Sequence, residues 1–272
     1  MNLREFAAIQ EFETAVLTTF EFDPVFFERV VLRDLIQSGV RQVIVLVDGP
    51  QSANSIEAAH DQLVDLGRRY QLYQVWTKGA FHAKLAIKLS AKSAIVACGS
   101  ANLTYSGWLG VRSKESSAGN REVAGIWQVG PNTPQAADLK QALGNLAGCI
   151  GDVARTALER ATSHAWLNSD SSQPERKLFV TSPQQPLAQQ LSERWADRRF
   201  QRMWMATGST DQCGAMLAWA NEQFGIQQAV VELDPDAAIF DSALCAAGQT
   251  LARDQGASTA ATAKAPSQAR GL

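Results

Sequence analysis

Val43-Ile-Val-Leu-Val47 is the most restrictive stretch of this chain, an unbroken apolar run with Gly39 upstream and Asp48-Gly49-Pro50 stopping it. A strand without a polar face must be covered on both sides, which only a layered fold provides. The residues before it supply part of that cover. Thr14-Ala-Val-Leu-Thr-Thr-Phe20 reads as a second strand, β-branched and apolar. Pro24 then opens a stretch in which Phe26, Phe27, Val30, Val31, Leu35 and Ile36 recur at helical spacing. Gly39 stands where a left-handed C-cap is expected. Strand, helix and strand in this order predict an α/β protein whose mixed, mainly parallel sheet is flanked by helices.

A similar order recurs later as a weak internal repeat. Arg202-Met-Trp-Met-Ala-Thr207 reads as a strand, and Asp211 precedes a helical pattern through Met216, Leu217, Trp219, Ala220 and Phe224. Gly225 ends that helix, and Ala229-Val-Val-Glu-Leu233 forms the next strand. Between the copies, Gln135 to Leu167 reads as helical, broken by Gly144, Gly148 and Gly151. The expected division is a first lobe over 1–167, a polar linker over 168–177, and a second, incomplete lobe over 178–247. Residues 248–272 hold almost no large apolar side chains and are expected to form a mobile tail.

Composition narrows the function classes. With 46% hydrophobic and 19% charged residues in 272, the chain reads as a folded globular protein. A net charge of −2 argues against a strongly basic nucleic-acid coat, though a local basic groove remains open. Cys98, Cys149, Cys213 and Cys245 are scattered, which predicts buried reduced thiols rather than a zinc site or a disulfide framework. Charge appears at once after Met1 and no apolar run approaches a membrane span, so a cytoplasmic location is expected.

The chemistry concentrates in Phe81-His-Ala-Lys-Leu-Ala-Ile-Lys-Leu89, which alternates strictly. As a strand it would present His82, Lys84, Ala86 and Lys88 on one face and bury the others. Ser90 to Ser93 supplies a turn, Ala94-Ile-Val-Ala-Cys98 a second strand, and Gly99-Ser100-Ala101-Asn102 its end. A hairpin of this kind returns Ser100 and Asn102 toward His82. An imidazole, an ammonium, a hydroxyl and a carboxamide at one sheet rim suit a phosphate. A neutral imidazole can attack phosphorus, a lysine neutralises non-bridging oxygens, and Ser and Asn add donors without charge. Gly99 lets backbone approach a ligand closely.

His82-Ala-Lys84, Gly99-Ser100-Ala101-Asn102-Leu103-Thr104 and Asn120-Arg121-Glu122 resemble, in order and spacing, the signature of the phospholipase D superfamily. The resemblance covers about Thr14 to Val129, a little under half the chain, and the later repeat looks like the opening of that family's second lobe. It implies His82 as the nucleophile forming a phosphohistidine or as the matching general acid. It also implies Lys84 and Asn102 on phosphate oxygens, Ser100 in support, and Glu122 orienting a histidine across the site. No metal and no cofactor are implied. Leu89 stands where the family often has an aspartate.

The family's centre needs two such motifs, and the chain's other histidines, His60 and His164, have no lysine two residues on. Either a second copy of the chain supplies its own motif across a two-fold axis, or a further C-terminal region or partner chain does. The expected activity is that of a metal-independent nuclease, with Lys88, Tyr105, Trp108 and Arg121 as substrate contacts. Rival readings are a catalytically incomplete nucleic-acid-binding or assembly subunit, and a lipid phosphodiesterase. No amphipathic basic anchor favours the last, and no membrane partner is expected.

Overall fold

The computed structural model describes residues 3–109, 122–131, 133–168, 186–207, 215–233, 252–253 and 260–262. The chain divides into two compact units, Met1–Ser182 and Pro183–Leu272.

In the first unit six strands form one mixed sheet, in the order β3-β2-β1-β4-β5-β6. They are β1 (Thr14–Thr19), β2 (Gln42–Asp48), β3 (Gln71–Val75), β4 (Leu85–Leu89), β5 (Ala94–Gly99) and β6 (Ala124–Val129). β1, β2 and β3 are mutually parallel, while β4, β5 and β6 continue antiparallel. Four of the six strands, β1, β2, β3 and β5, therefore run in one direction.

Both sheet faces are covered, as the apolar run of β2 requires. Val43, Val45 and Val47 join Ala15 and Leu17 in one core with Phe26, Phe27, Val31 and Leu35. Ile44 and Leu46 point the other way, into a core with Val16, Leu139, Leu143, Leu146 and Leu158. The first cover is a helical stretch of α2 (Pro24–Phe26), a π-helix (Phe27–Leu32) and α3 (Arg33–Gln37). Asp23 caps its start by accepting from the Phe26 amide at 2.9 Å, and Gly39, at φ +102°, turns the chain out of it. The second cover is α6 (Gln135–Gly148) and α7 (Asp152–Thr162). α6 passes through Gly144 without the predicted break, because Leu139, Leu143 and Leu146 bury one continuous face.

The predicted nine-residue strand is shorter than its alternation suggests: β4 begins only at Leu85. β1 pairs with it as far as Leu17–Ala86. Beyond that register the Thr18 hydroxyl replaces the ladder, donating to the Ala83 carbonyl at 2.9 Å and accepting from the Leu85 amide at 2.8 Å.

The second unit, taken alone, repeats the predicted order: β7 (Arg202–Thr207), α9 (Ala215–Phe224) and β8 (Gln228–Leu233), preceded by α8 (Leu187–Arg194). β7 and β8 are parallel. Leu217, Ala220, Phe224, Ile226 and Ala229 form a small core against Trp195 and Phe200. Two short strands, β9 (Ala252–Arg253) and β10 (Ala260–Thr262), join this sheet in the stretch expected to be a mobile tail. Ladder bonds use backbone alone, so a lack of large side chains did not prevent pairing. The rest of that tail and all of the expected linker but Asn168 lie outside the described residues.

Candidate active site

The motif residues meet at one edge of the first sheet, where β1, β2, β3 and β5 end and β4 begins. The lead-in 81–84 lies outside the strand ladder, apart from one β5 bond to Lys84, and is pinned from two further sides. Thr18 holds its end, as above. At its start the buried Asp48 carboxylate accepts from the Phe81 amide at 2.7 Å and from the Gln51 amide at 2.9 Å. The second bond caps the N-terminus of α4 (Gly49–Ala59). One carboxylate thus ties the parallel half of the sheet to the segment bearing His82.

The His82 ring is exposed and packs on Phe20, with centroids 4.7 Å apart and planes tilted by 49°. The Lys84 ammonium lies 3.1 Å from Nδ1 and 3.2 Å from Nε2 of that ring, and donates to the His82 carbonyl at 3.2 Å. An ammonium only donates, so whichever ring nitrogen carries no proton is the one able to accept from it. Desolvation and the Lys84 charge both lower the His82 pKa, against smaller opposing effects of Glu21 and Asp48. Burial of its stem lowers Lys84, while Glu21 and Glu122 oppose that shift. Burial and the adjoining ammonium thus both favour the uncharged form of the imidazole over the protonated one.

The hairpin returns Ser100 and Asn102 to this edge as predicted: the Gly99 amide donates to the Lys84 carbonyl at 3.2 Å. The Ser100 hydroxyl donates to Glu122 in a short bond and accepts from the Val123 amide at 3.0 Å. Asn102 donates through Nδ2 to the Glu21 carboxylate at 3.2 Å, and its Oδ1 accepts from the Glu21 amide, also at 3.2 Å. Glu21 and Glu122, the partners of Asn102 and Ser100, are the two carboxylates whose charge acts on Lys84. Two glycines permit these approaches. A Cβ on Gly99 would lie 2.3 Å from the Val123 carbonyl oxygen, and one on Gly107 2.3 Å from that of Asn102.

Three contributors escaped sequence reading: Glu21, Asp48 and Thr18. Their only local signal was position, each lying at or just beyond the C-terminal end of a strand, where open α/β sheets assemble their sites.

Two expected substrate contacts need correction. Lys88 has no exposed surface, and its ammonium donates to Ala7 O at 2.8 Å, to Ser38 Oγ at 2.9 Å and to the Ile9 carbonyl. It fastens the end of α1 (Leu3–Ala8) to the C-terminus of α3, and burial pushes its pKa down to about 8. Alternation placed Lys88 on the face of Lys84, but at Lys88 that face is covered by the ends of α1 and α3. Trp108, in α5 (Tyr105–Leu109), is 6% exposed and belongs to the first core, so no base can stack on it. Tyr105 is 52% exposed and meets Phe26 edge-on at 5.8 Å. Arg121 lies outside the described residues.

The other histidines stand away from the edge. His60 follows α4, whose eleven residues lead about 16 Å from Asp48 at ordinary helical rise. His164 lies beside the Ala165–Asn168 turn, where Trp166 donates to Ser90 O at 3.0 Å. Ser90 begins the β4–β5 turn, at the opposite end of the strands from Gly99. The thiol expectation also changes: Cys98 is exposed and Cys149 half-buried, both unbridged, while Cys213 and Cys245 lie outside the described residues. Among the described residues no group of three or more His, Cys, Asp or Glu could hold a metal ion. No described helix is long and apolar enough to cross a membrane.

No protein-family profile and no curated protein sequence match the chain. Its structure is similar to solved ones. Yeast tyrosyl-DNA phosphodiesterase aligns at 13% identity and a TM-score of 0.48, over 78% of this chain and 48% of that one. NucT from Helicobacter pylori aligns at 19% identity and a TM-score of 0.38, over 55% and 87% of the two chains. Nuc from Salmonella typhimurium, described as a phospholipase D family member, aligns at 17% identity and a TM-score of 0.31, over 58% and 82%. The chain thus spans about half the length of the yeast protein.

Proposed function

We propose that this chain is a phospholipase D-like phosphodiesterase that carries one half of an active centre and cleaves nucleic acid through a phosphohistidine on His82. The observation that carries this reading is the His82–Lys84 pair: an imidazole of lowered basicity with an ammonium 3.1 Å away, on the edge to which the hairpin returns Ser100 and Asn102. In the first step a ring nitrogen of His82 attacks phosphorus as the bond to the leaving oxygen breaks. Lys84 and Asn102 hold the non-bridging oxygens, and Ser100 supports them from its bond to Glu122. A proton donor must meet the leaving oxygen, and water must later release the phosphoryl group from nitrogen. Because His60 and His164 stand a helix or a strand away, the second His-x-Lys motif comes from another copy of the chain, from a further C-terminal region or from a partner chain.

Support for nucleic acid as substrate comes from the same edge. Trp76, just past β3, is 64% exposed with its indole packed on Gly49, and the exposed Lys78 follows two residues later. An exposed aromatic near a phosphate site offers a base a stacking surface.

Cleavage of single- and double-stranded oligonucleotides and of a chromogenic phosphodiester, all in EDTA, tests the reading together with solution mass. The expected result is turnover by the wild type and its loss in a folded His82→Ala protein, with label from a phosphate-labelled substrate retained on His82. Undiminished cleavage by His82→Ala would overturn it. A second reading, a binding subunit without turnover, is favoured by the lone motif; binding of oligonucleotides without cleavage at any protein concentration would establish it instead.

A further inference from the structure

We propose that the Glu21 carboxylate occupies the phosphate position of the free protein, and that substrate enters by displacing it from Asn102. This rests on the phosphodiesterase reading and adds a residue that neither the motif nor the resemblance contains.

Asn102 is held at both ends of its amide by Glu21. Its oxygen accepts from the Glu21 backbone amide, and its Nδ2 donates to the Glu21 carboxylate, each at 3.2 Å. The Thr19 hydroxyl also approaches that oxygen, at 3.4 Å. The orientation of the Asn102 amide is therefore set, with its NH2 aimed at an anion. The charge of that anion acts on both Lys84 and His82. A carboxylate and a phosphate ask for the same donors, so Glu21 holds the Asn102 NH2 that the reaction assigns to a phosphate oxygen.

Backbone and side chain of Glu21 have different freedom. Its carbonyl accepts from the Thr19 hydroxyl at 2.6 Å, and two residues on the Asp23 amide donates to Leu103 O at 3.1 Å. The residue itself is exposed. The carboxylate can turn away to solvent while the Glu21 amide keeps hold of Asn102 Oδ1, leaving Nδ2 directed at the vacated place. Glu21 thus acts as a positioning residue for Asn102 and as a competitor for its donor. It favours ligands that bring enough negative charge to replace it.

Calorimetric titration of the full chain with inorganic phosphate tests this, with wild type, Glu21→Gln and Glu21→Ala. Glutamine keeps the shape and still accepts from Asn102 but brings no charge, so phosphate should bind about tenfold tighter. Alanine should give a gain in the same direction. NMR titration of His82, which faces the charges of Lys84, Glu21 and Asp48, supplies a second readout. Its midpoint should fall in Glu21→Gln, because Glu21 holds it up. Phosphate affinity unchanged or weakened in both variants would overturn the competition while leaving the phosphate site standing. Phosphate binding to none of the three proteins would sink the site and the competition together.

Discussion

Replacing Asp48 by alanine isolates the contact on which the placement of His82 depends. Asp48 is 3% exposed and satisfies two amides at once, Gln51 at the start of α4 and Phe81 at the start of the motif segment. Loss of an N-cap costs about 1 kcal/mol. A buried amide left without an acceptor costs about 1–3 kcal/mol more. The first unit should therefore lose about 2–4 kcal/mol, a large share of the stability of an ordinary domain. An asparagine in its place would keep one acceptor but present an NH2 to the other amide, so Asp48→Asn should retain the cap and still release Phe81. Urea unfolding measures the sum, and hydrogen exchange at the Phe81 and Gln51 amides apportions it. In Asp48→Asn, exchange should quicken at Phe81 far more than at Gln51, and phosphodiester turnover should fall with it as the imidazole loses its fixed place. An Asp48→Ala protein within about 0.5 kcal/mol of wild type, as for an ordinary surface change, would refute this account. So would unaltered exchange at Phe81.

Other perturbations follow from the same geometry. Because desolvation and the Lys84 charge lower the His82 pKa, the acid limb of kcat/KM should fall below pH 6.5 and move upward in Lys84→Met, read from a pH–rate profile. With the folded ring less basic than the unfolded one, this group's contribution to stability is present above pH 6.5 and is withdrawn as the pH drops through the folded pKa. Lys88 behaves differently: its folded pKa is pushed from 10.5 to about 8, so between those values the unfolded chain binds the extra proton. The urea midpoint of wild type should accordingly rise relative to Lys88→Met between pH 8 and 10.5; parallel pH profiles would count against it. Gly107→Ala would drive a methyl group to 2.3 Å from the Asn102 carbonyl oxygen, which is backbone and cannot swing aside. Phosphate affinity should fall at least tenfold with helix content retained, as checked by calorimetry and circular dichroism.

What the chain's own letters determined was local. The apolar run of β2, the helical spacing after Pro24 and the turn at Gly39 each rest on neighbours a few residues apart, and each appears as read. The β4–β5 hairpin is local too, which is why the return of Ser100 and Asn102 toward His82 was legible without coordinates. The parallel order of β7 and β8 was readable from the helix between them, because a helical crossover lets the second strand run in the direction of the first. Tertiary packing decided the rest. Alternation says which side of a strand a residue faces but not what covers that side, so Lys88 and Lys84 looked equivalent until α1 and α3 closed over one of them. The groups that hold the motif come from far along the chain, Thr18 to Ala83 across 65 residues and Glu21 to Asn102 across 81. Such pairs leave no periodic trace, because a hydrogen bond between distant segments constrains two positions and nothing between them.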